Sequence, residues 1–315
     1  MSNNLSRDSS ASLWKLIGGG SVSLLALWAT VVGLAITVGS GLPSQEIAFE
    51  SNRDGNWEIY GLDLRTGGLV NYTGNPADDL GPAWSPDGRS FTFYSNRDND
   101  FNHELYVLDT VTGEVRRLSD QNGDHRRAVW SPDGRELVYT YRYGQIHIMD
   151  AEGLNDRHLV YGFSPSWSPG GEQILYYADW RGELNAEIYI IDVDGHNLVN
   201  FSNHAANDWS PAWSHDGSQI VFLSSRDGNA ELYVASTDCV MARRYCGGDT
   251  RRLTFNRTND ASPIWMPDNQ HIIFASEKIG DARHVDLYML DITNGDQRRL
   301  TSGYGDNQAP AWRPG

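Results

Sequence analysis

From Ile47 onwards, apolar and polar positions alternate with a period of two, in short runs broken by turns rich in Gly, Pro and Asp. Runs such as SFTFYS, ELYVLD, QIVFLS and ELYVAS predict half-buried β-strands. The runs themselves recur. One unit reads AWSPDG, a short alternating strand, a turn, an E-I/L-Y-x-x-D strand and a closing strand of the RRLT kind. Its markers Trp84, Trp130, Trp167, Trp213, Trp265 and Trp312 stand 46, 37, 46, 52 and 47 residues apart, the length of four short strands with their hairpins.

The two ends complete the pattern. Before Trp84 lies IAFESNRDGNWEIYGLDLRTGGLVNYT, three strands lacking the first of a unit; the chain closes on QAPAWRPG, a first strand lacking the other three. Pairing Pro310–Trp312 with Ile47–Glu50 would close a ring and shield its inner strands from edge-to-edge association. The expectation is an all-β, six-bladed β-propeller over residues 46–315, its N- and C-terminal strands sharing one blade.

Local chemistry fits this reading. Pro86-Asp87-Gly88 suits a hairpin turn: Pro fixes φ, Asp accepts a local hydrogen bond and Gly takes positive φ. Asn269 replaces that Gly in MPDN and tolerates the same conformation. The unit starting at Trp130 is short, with YRYGQIHIMD in place of a longer hairpin, and its sheet is expected to persist with a clipped edge.

Ahead of the repeats the pattern changes. Residues 1–15 form a polar tail, and Leu16 to Val38 is a run of 23 residues without a formal charge. As a helix it would measure about 34 Å, enough for a hydrocarbon core of about 30 Å. Arg7 and Lys15 precede the run and Glu46 and Glu50 follow it, which places the N-terminus inside. The expectation is a cytoplasmic tail (1–15), a transmembrane anchor or signal segment (16–38), a linker (39–45) and a propeller in the periplasm or extracellular space. Cys239 and Cys246 are the only cysteines, and an oxidising compartment would let them form a disulfide. The 25 Lys and Arg against 41 Asp and Glu, net −16, argue against nucleic acid as a partner.

The pattern AWSPDG…I-x-F-x-S-x-R-D-G-N-x-E-I/L-Y-x-x-D…R-R-L-T resembles the WD40-like β-propeller repeats of the TolB family over roughly residues 46–315. It is also similar to the repeats in propellers of prolyl oligopeptidase-type enzymes. The resemblance implies the fold. TolB is a periplasmic protein whose propeller contacts a peptidoglycan-associated lipoprotein and other envelope proteins, and it carries an α/β domain ahead of that propeller. Here about 45 residues stand in its place, and the expectation is a propeller without the α/β-hydrolase domain of the peptidases.

Acidic residues recur in the connections between units: Asp78, Asp79, Asp124, Asp208, Asp260 and Asp306. A carboxylate ring at one mouth of the channel could bind a divalent cation such as calcium, or a basic peptide segment. Alternatively each Asp accepts backbone N–H bonds within its own connection. The Arg-Asp-Gly-Asn sequences at 53–56 and 226–229, and their counterpart Arg97-Asp98, read as turns. No G-x-S-x-G elbow, H-E-x-x-H helix, phosphate loop or dinucleotide loop occurs. The sequence therefore points to a non-enzymatic propeller that binds a protein or peptide of the cell envelope, with single-pass membrane association and no cofactor assigned. Binding of an envelope carbohydrate or small ligand is the alternative, followed by a propeller-type hydrolase with a carboxylate pair at the channel mouth.

Overall fold

The computed structural model describes residues 45–98, 102–119, 123–179, 185–241, 250–278, 281–303 and 305–315. Three strands open the described chain: β1 (Glu46–Ser51), β2 (Glu58–Asp63) and β3 (Leu69–Asn71). Blade 1 follows as β4 (Asp79–Trp84), β5 (Ser90–Ser95), β6 (Glu104–Asp109) and β7 (Val115–Arg117). Blade 2 is β8 (His125–Trp130), β9 (Glu136–Tyr141), β10 (Gln145–Asp150) and β11 (Arg157–Tyr161). Blade 3 is β12 (Phe163–Trp167), β13 (Gln173–Ala178), β14 (Glu187–Asp192) and β15 (Val199–Asn200). Blade 4 is β16 (Asp208–Trp213), β17 (Gln219–Ser224), β18 (Glu231–Ser236) and β19 (Thr250–Arg252), with the short helix α1 (Asp238–Met241) before its last strand. Blade 5 is β20 (Asp260–Trp265), β21 (His271–Lys278), β22 (Asp281–Asp291) and β23 (Gln297–Arg299). The last strand, β24 (Asn307–Trp312), joins the first three as blade 6, in the order β24-β1-β2-β3.

The blades are antiparallel sheets of four strands, and the core lies between them. Along β5, for example, Phe91 and Phe93 turn towards Ala48 and Ile59 of blade 6, while Tyr94 packs with Leu137 and Tyr139 of blade 2. Both faces of such a strand are covered, so a period of two here divides residues between two neighbours rather than between core and water. The same sharing recurs at each junction round the ring. Burying one such Phe or Leu contributes about 1.5–3 kcal/mol.

The ring closes as the sequence ends predict. Ile47 pairs with Trp312, Ala48 with Ala311, Glu50 with Gln308 and Ser51 with Asn307. Side chains reinforce the seam: Ser51 donates to Asn307 Oδ1 at 2.9 Å, and Arg313 Nη1 lies 2.7 Å from Glu46 Oε2. The Arg313 guanidinium also sits 4.6 Å from the centroid of the Trp84 ring in blade 1. In the AWSPDG turn Ser85 Oγ donates to Asp87 at 2.6 Å, and Gly88, at φ 65°, donates its N–H to Ser85 O at 2.9 Å. Asn269 holds the equivalent conformation at φ 54°. Blade 2 keeps its four strands despite the shortened hairpin.

The membrane span expected at 16–38 is corrected. Among the described residues no helix is long and apolar enough to cross a membrane, and the expected segment lies outside them. The expectation rested on the absence of charge, the length of the run and the charges that flank it. That run also holds Gly18, Gly19, Gly20, Ser21 and Ser23, residues that weaken a helix by up to about 1 kcal/mol each. The anchor, the single-pass membrane association and the inside-to-outside orientation drawn from it are withdrawn together.

Candidate functional site

Each blade's first strand breaks register with its neighbour at the same place: between Leu80 and Ala83 in blade 1, Arg126 and Val129 in blade 2, Trp209 and Ala212 in blade 4. The residue at each break has positive φ: Gly81, Arg127, Ser164, Ser210, Ser262 and Ala309, between 47° and 63°. Such a bulge bends the strand and re-aims its side chains. Proline follows in five blades, as Pro82, Pro165, Pro211, Pro263 and Pro310, where a missing N–H costs nothing to an already broken ladder. Together these bulges line a central cavity of about 280 Å³.

Counting back from the bulge separates the acidic candidates into two positions. Asp78, Asp124 and Asp306 occupy the outer one. Their side chains accept backbone N–H bonds from the third strand of the preceding blade's sheet or its approach: Trp57 to Asp78 at 2.9 Å, His103 to Asp124 at 3.2 Å, Val285 to Asp306 at 3.0 Å. Asn207 and Asn259 do the same for Ala186 and Ala230. Asp79, Asp208 and Asp260 occupy the inner position and are buried. None of the six lines the central cavity. Among the described residues no group of three or more His, Cys, Asp or Glu is placed to hold a metal ion.

Two inner carboxylates meet an arginine. Arg97 reaches both oxygens of Asp79 at 2.9 and 3.0 Å, and Arg226 both oxygens of Asp208 at 3.1 and 3.2 Å. Each guanidinium also lies over strand aromatics, Arg97 at 4.9 Å from both Phe93 and Tyr106. These arginines belong to the sequences read as turns, yet they tie the second hairpin of a blade to its first strand. The available signal was an equal spacing of 18 residues from Asp to Arg in both blades. Among the described residues no arginine reaches Asp260. It accepts from Ser276 at 2.7 Å and Asn256 at 3.0 Å, and burial pushes its pKa up to about 6 against the pull of Thr254, Ser276 and Asn256.

Blade 3 departs from the others at this point. Tyr161-Gly162 stands where the other blades carry Asp or Asn at the outer position and Asp, Asn or His at the inner one. Tyr161 is 56% exposed, Phe163 41% and Tyr143, on the clipped hairpin of blade 2, 92%. Gly162 N–H donates to Gly144 O at 2.7 Å, which joins the two segments. Phe163 stacks on Tyr177 with centroids 5.6 Å apart and lies so close over Gly144 that a Cβ there would clash with its ring. The result is an aromatic cluster at the end of the blades where the acidic connections lie. Sequence reasoning passed over it, although aligning the six units backwards from Trp exposes the substitution. The expected disulfide partner of Cys239, Cys246, lies outside the described residues.

Comparison with known proteins bears on this architecture. The family model described as TolB beta propeller domain matches residues 43–183 and 160–250. The uncharacterized peptidase YuxL of Bacillus subtilis is 28% identical over 240 residues, 74% of this chain and 27% of that protein. The Tol-Pal system protein TolB of Bordetella pertussis is 29% identical over 156 residues, 48% of this chain and 33% of that protein. The chain thus spans a third or less of the length of these relatives. Among solved structures, TolB from Acinetobacter baumannii superposes with a TM-score of 0.74 at 19% identity, over 86% of this chain and 67% of that one. Putative TolB from Agrobacterium tumefaciens gives 0.66 at 20% identity, over 85% and 92%. At these identities the likeness concerns the fold.

Proposed function

Because the chain belongs to the TolB β-propeller family, we propose that it works as a non-catalytic module that binds a protein or peptide through the aromatic cluster at the junction of blades 2 and 3. The observation that carries this reading is the exchange of Asp or Asn for Tyr161-Gly162 in one blade, which sets Tyr161 in water beside the exposed Phe163 and Tyr143. Exposed Tyr and Phe on rigid strands offer large contact area at low entropic cost, and such residues are enriched at protein interfaces. Buried aromatics serve the ring; these do not. Asp124 and Asp306, with side chains 28% and 30% exposed, supply a polar rim on the same end of the blades. Asp78 supports a connection, and Asp79, Asp208 and Asp260 act from within. The peptidase name carried by YuxL belongs to a protein of which this chain covers 27%.

A photo-crosslinking residue at Tyr143, compared with one at Thr66 on the opposite end of the blades, tests the reading in native cells. The expected result is a discrete adduct from position 143 that disappears in Tyr161→Asp, which installs the residue found in sister blades. Identical adducts from both positions, or an adduct indifferent to Tyr161→Asp in a folded protein, would overturn it.

A further inference from the structure

The six-fold repeat supplies an internal control for the central cavity. At the bulge five blades carry small uncharged residues, Gly81, Ser164, Ser210, Ser262 and Ala309, and the sixth carries Arg127. Arg127 holds φ at 54°, a conformation that is costly for a side chain of its size. Its blade also lacks the proline of the others, with Ala128 in that place. Neither feature helps the sheet. Arg127 is an exposed residue, and among the described residues its side chain makes no hydrogen bond or ion pair. It is the one charged group among the described residues lining the cavity, whose walls are otherwise proline, alanine, serine and a few larger apolar side chains. In a chain of net charge −16, a cation without a contact ion pair among the described residues stands out in an apolar channel.

The surroundings narrow the ligand. Ser164, Ser210 and Ser262 line the same cavity, and their hydroxyls have no partner among the described residues, so three donors are free to face an anion. Glu50, buried beside the channel, takes the Gly81 N–H at 2.6 Å and Gln308 at 2.9 Å. Burial raises its pKa, while Arg127 and these hydrogen bonds oppose the rise. A dianion would bring a second charge towards that carboxyl with one guanidinium to compensate it. With a single guanidinium in the channel, a ligand of one negative charge fits better than one of two, and the planar fork of arginine suits a carboxylate. We propose that the central channel is a carboxylate site in which Arg127 binds the anion, the three serines complete its hydrogen bonding, and the proline and alanine walls take a slender apolar body.

A free small acid and the C-terminus of a peptide share this chemistry. The test titrates the full-length protein with 4-methylpentanoate, with its amide, and with N-acetyl-Ala-Leu bearing a free or an amidated C-terminus, followed by ligand-observed NMR. Saturable binding of one of the acids, with its amide at least about tenfold weaker, is expected; which acid wins identifies the source. Arg127→Ser, which copies three sister blades, should keep the melting temperature and lose at least about tenfold in affinity, and Arg127→Lys should recover part of it. Should the serine variant misfold, the lysine variant and the acid-to-amide ratio still decide the matter. Equal binding of acids and amides, unchanged affinity in folded Arg127→Ser, or no saturable binding of either acid would overturn the proposal.

Discussion

Asp260 is the residue at which the repeat is left incomplete. Its counterparts Asp79 and Asp208 are matched by arginine, whereas Asp260 is buried with neutral donors and its pKa rises to about 6. The sign follows directly. Between about pH 4, where an unfolded Asp titrates, and pH 6, the folded chain holds a proton that the unfolded chain has released, so this group's contribution to stability falls as pH rises through that window. Above it the cost is fully present. Asp260→Asn should therefore stabilise the propeller at pH 7 by about 3 kcal/mol, with the difference vanishing below about pH 4 in denaturant titrations run at both values; an equal effect at both would show that the charge is not responsible. The acidic candidates were legible as a recurring feature and illegible as two sets. Adjacent positions on a strand point to opposite faces, and nothing in the composition of Asp78-Asp79 says which of the two turns inward.

Strand existence was easier to read than strand shape. The period of two and the Ser-Pro-Asp-Gly turns located the strands of a unit, because those turns are held by their own side chains, as in Ser85 and Asp87. The bulges were hidden. An extra residue in one strand leaves the alternation nearly intact, and here positive φ falls on Ser, Ala and Arg as well as Gly. The Arg97–Asp79 tie was likewise read as a turn. Its energetic weight is testable: Asp79 is fully buried, so Arg97→Ala strands a carboxylate and should cost about 3 kcal/mol in equilibrium unfolding. Arg97→Ala combined with Asp79→Asn should recover much of that loss, since the double change removes the charge together with its partner. Failure of the second change to restore stability would assign the loss to the missing stack on Phe93 and Tyr106 instead.

For the whole molecule, the decisive clue was that partial units at the two ends add up to one blade, and the pairing of Ile47 with Trp312 bears this out. The N-terminal span, read from an uncharged run, its length and its flanking charges, had no pairing partner elsewhere in the chain to constrain it and did not stand. Deleting residues 310–315 removes the Ala48–Ala311 and Ile47–Trp312 pairs together with the Arg313–Glu46 contact. Thermal unfolding should register a far larger loss than for Arg313→Ala, whose partly exposed ion pair accounts for about 1 kcal/mol. A truncated chain that melts with the intact one would mean that the seam is not what holds the ring. That seam also sets the order of events on the ribosome. The strand Glu46–Ser51 emerges early, and its inner partner Asn307–Trp312 follows some 256 residues later. At about 5–20 residues per second the wait is roughly 13–50 s. Throughout it a nascent chain presents a bare apolar strand edge, open to a second copy of itself or to a chaperone. Its ring can close only once Asn307–Trp312 has been made, so closure waits on that distant strand rather than on any blade formed from neighbouring ones.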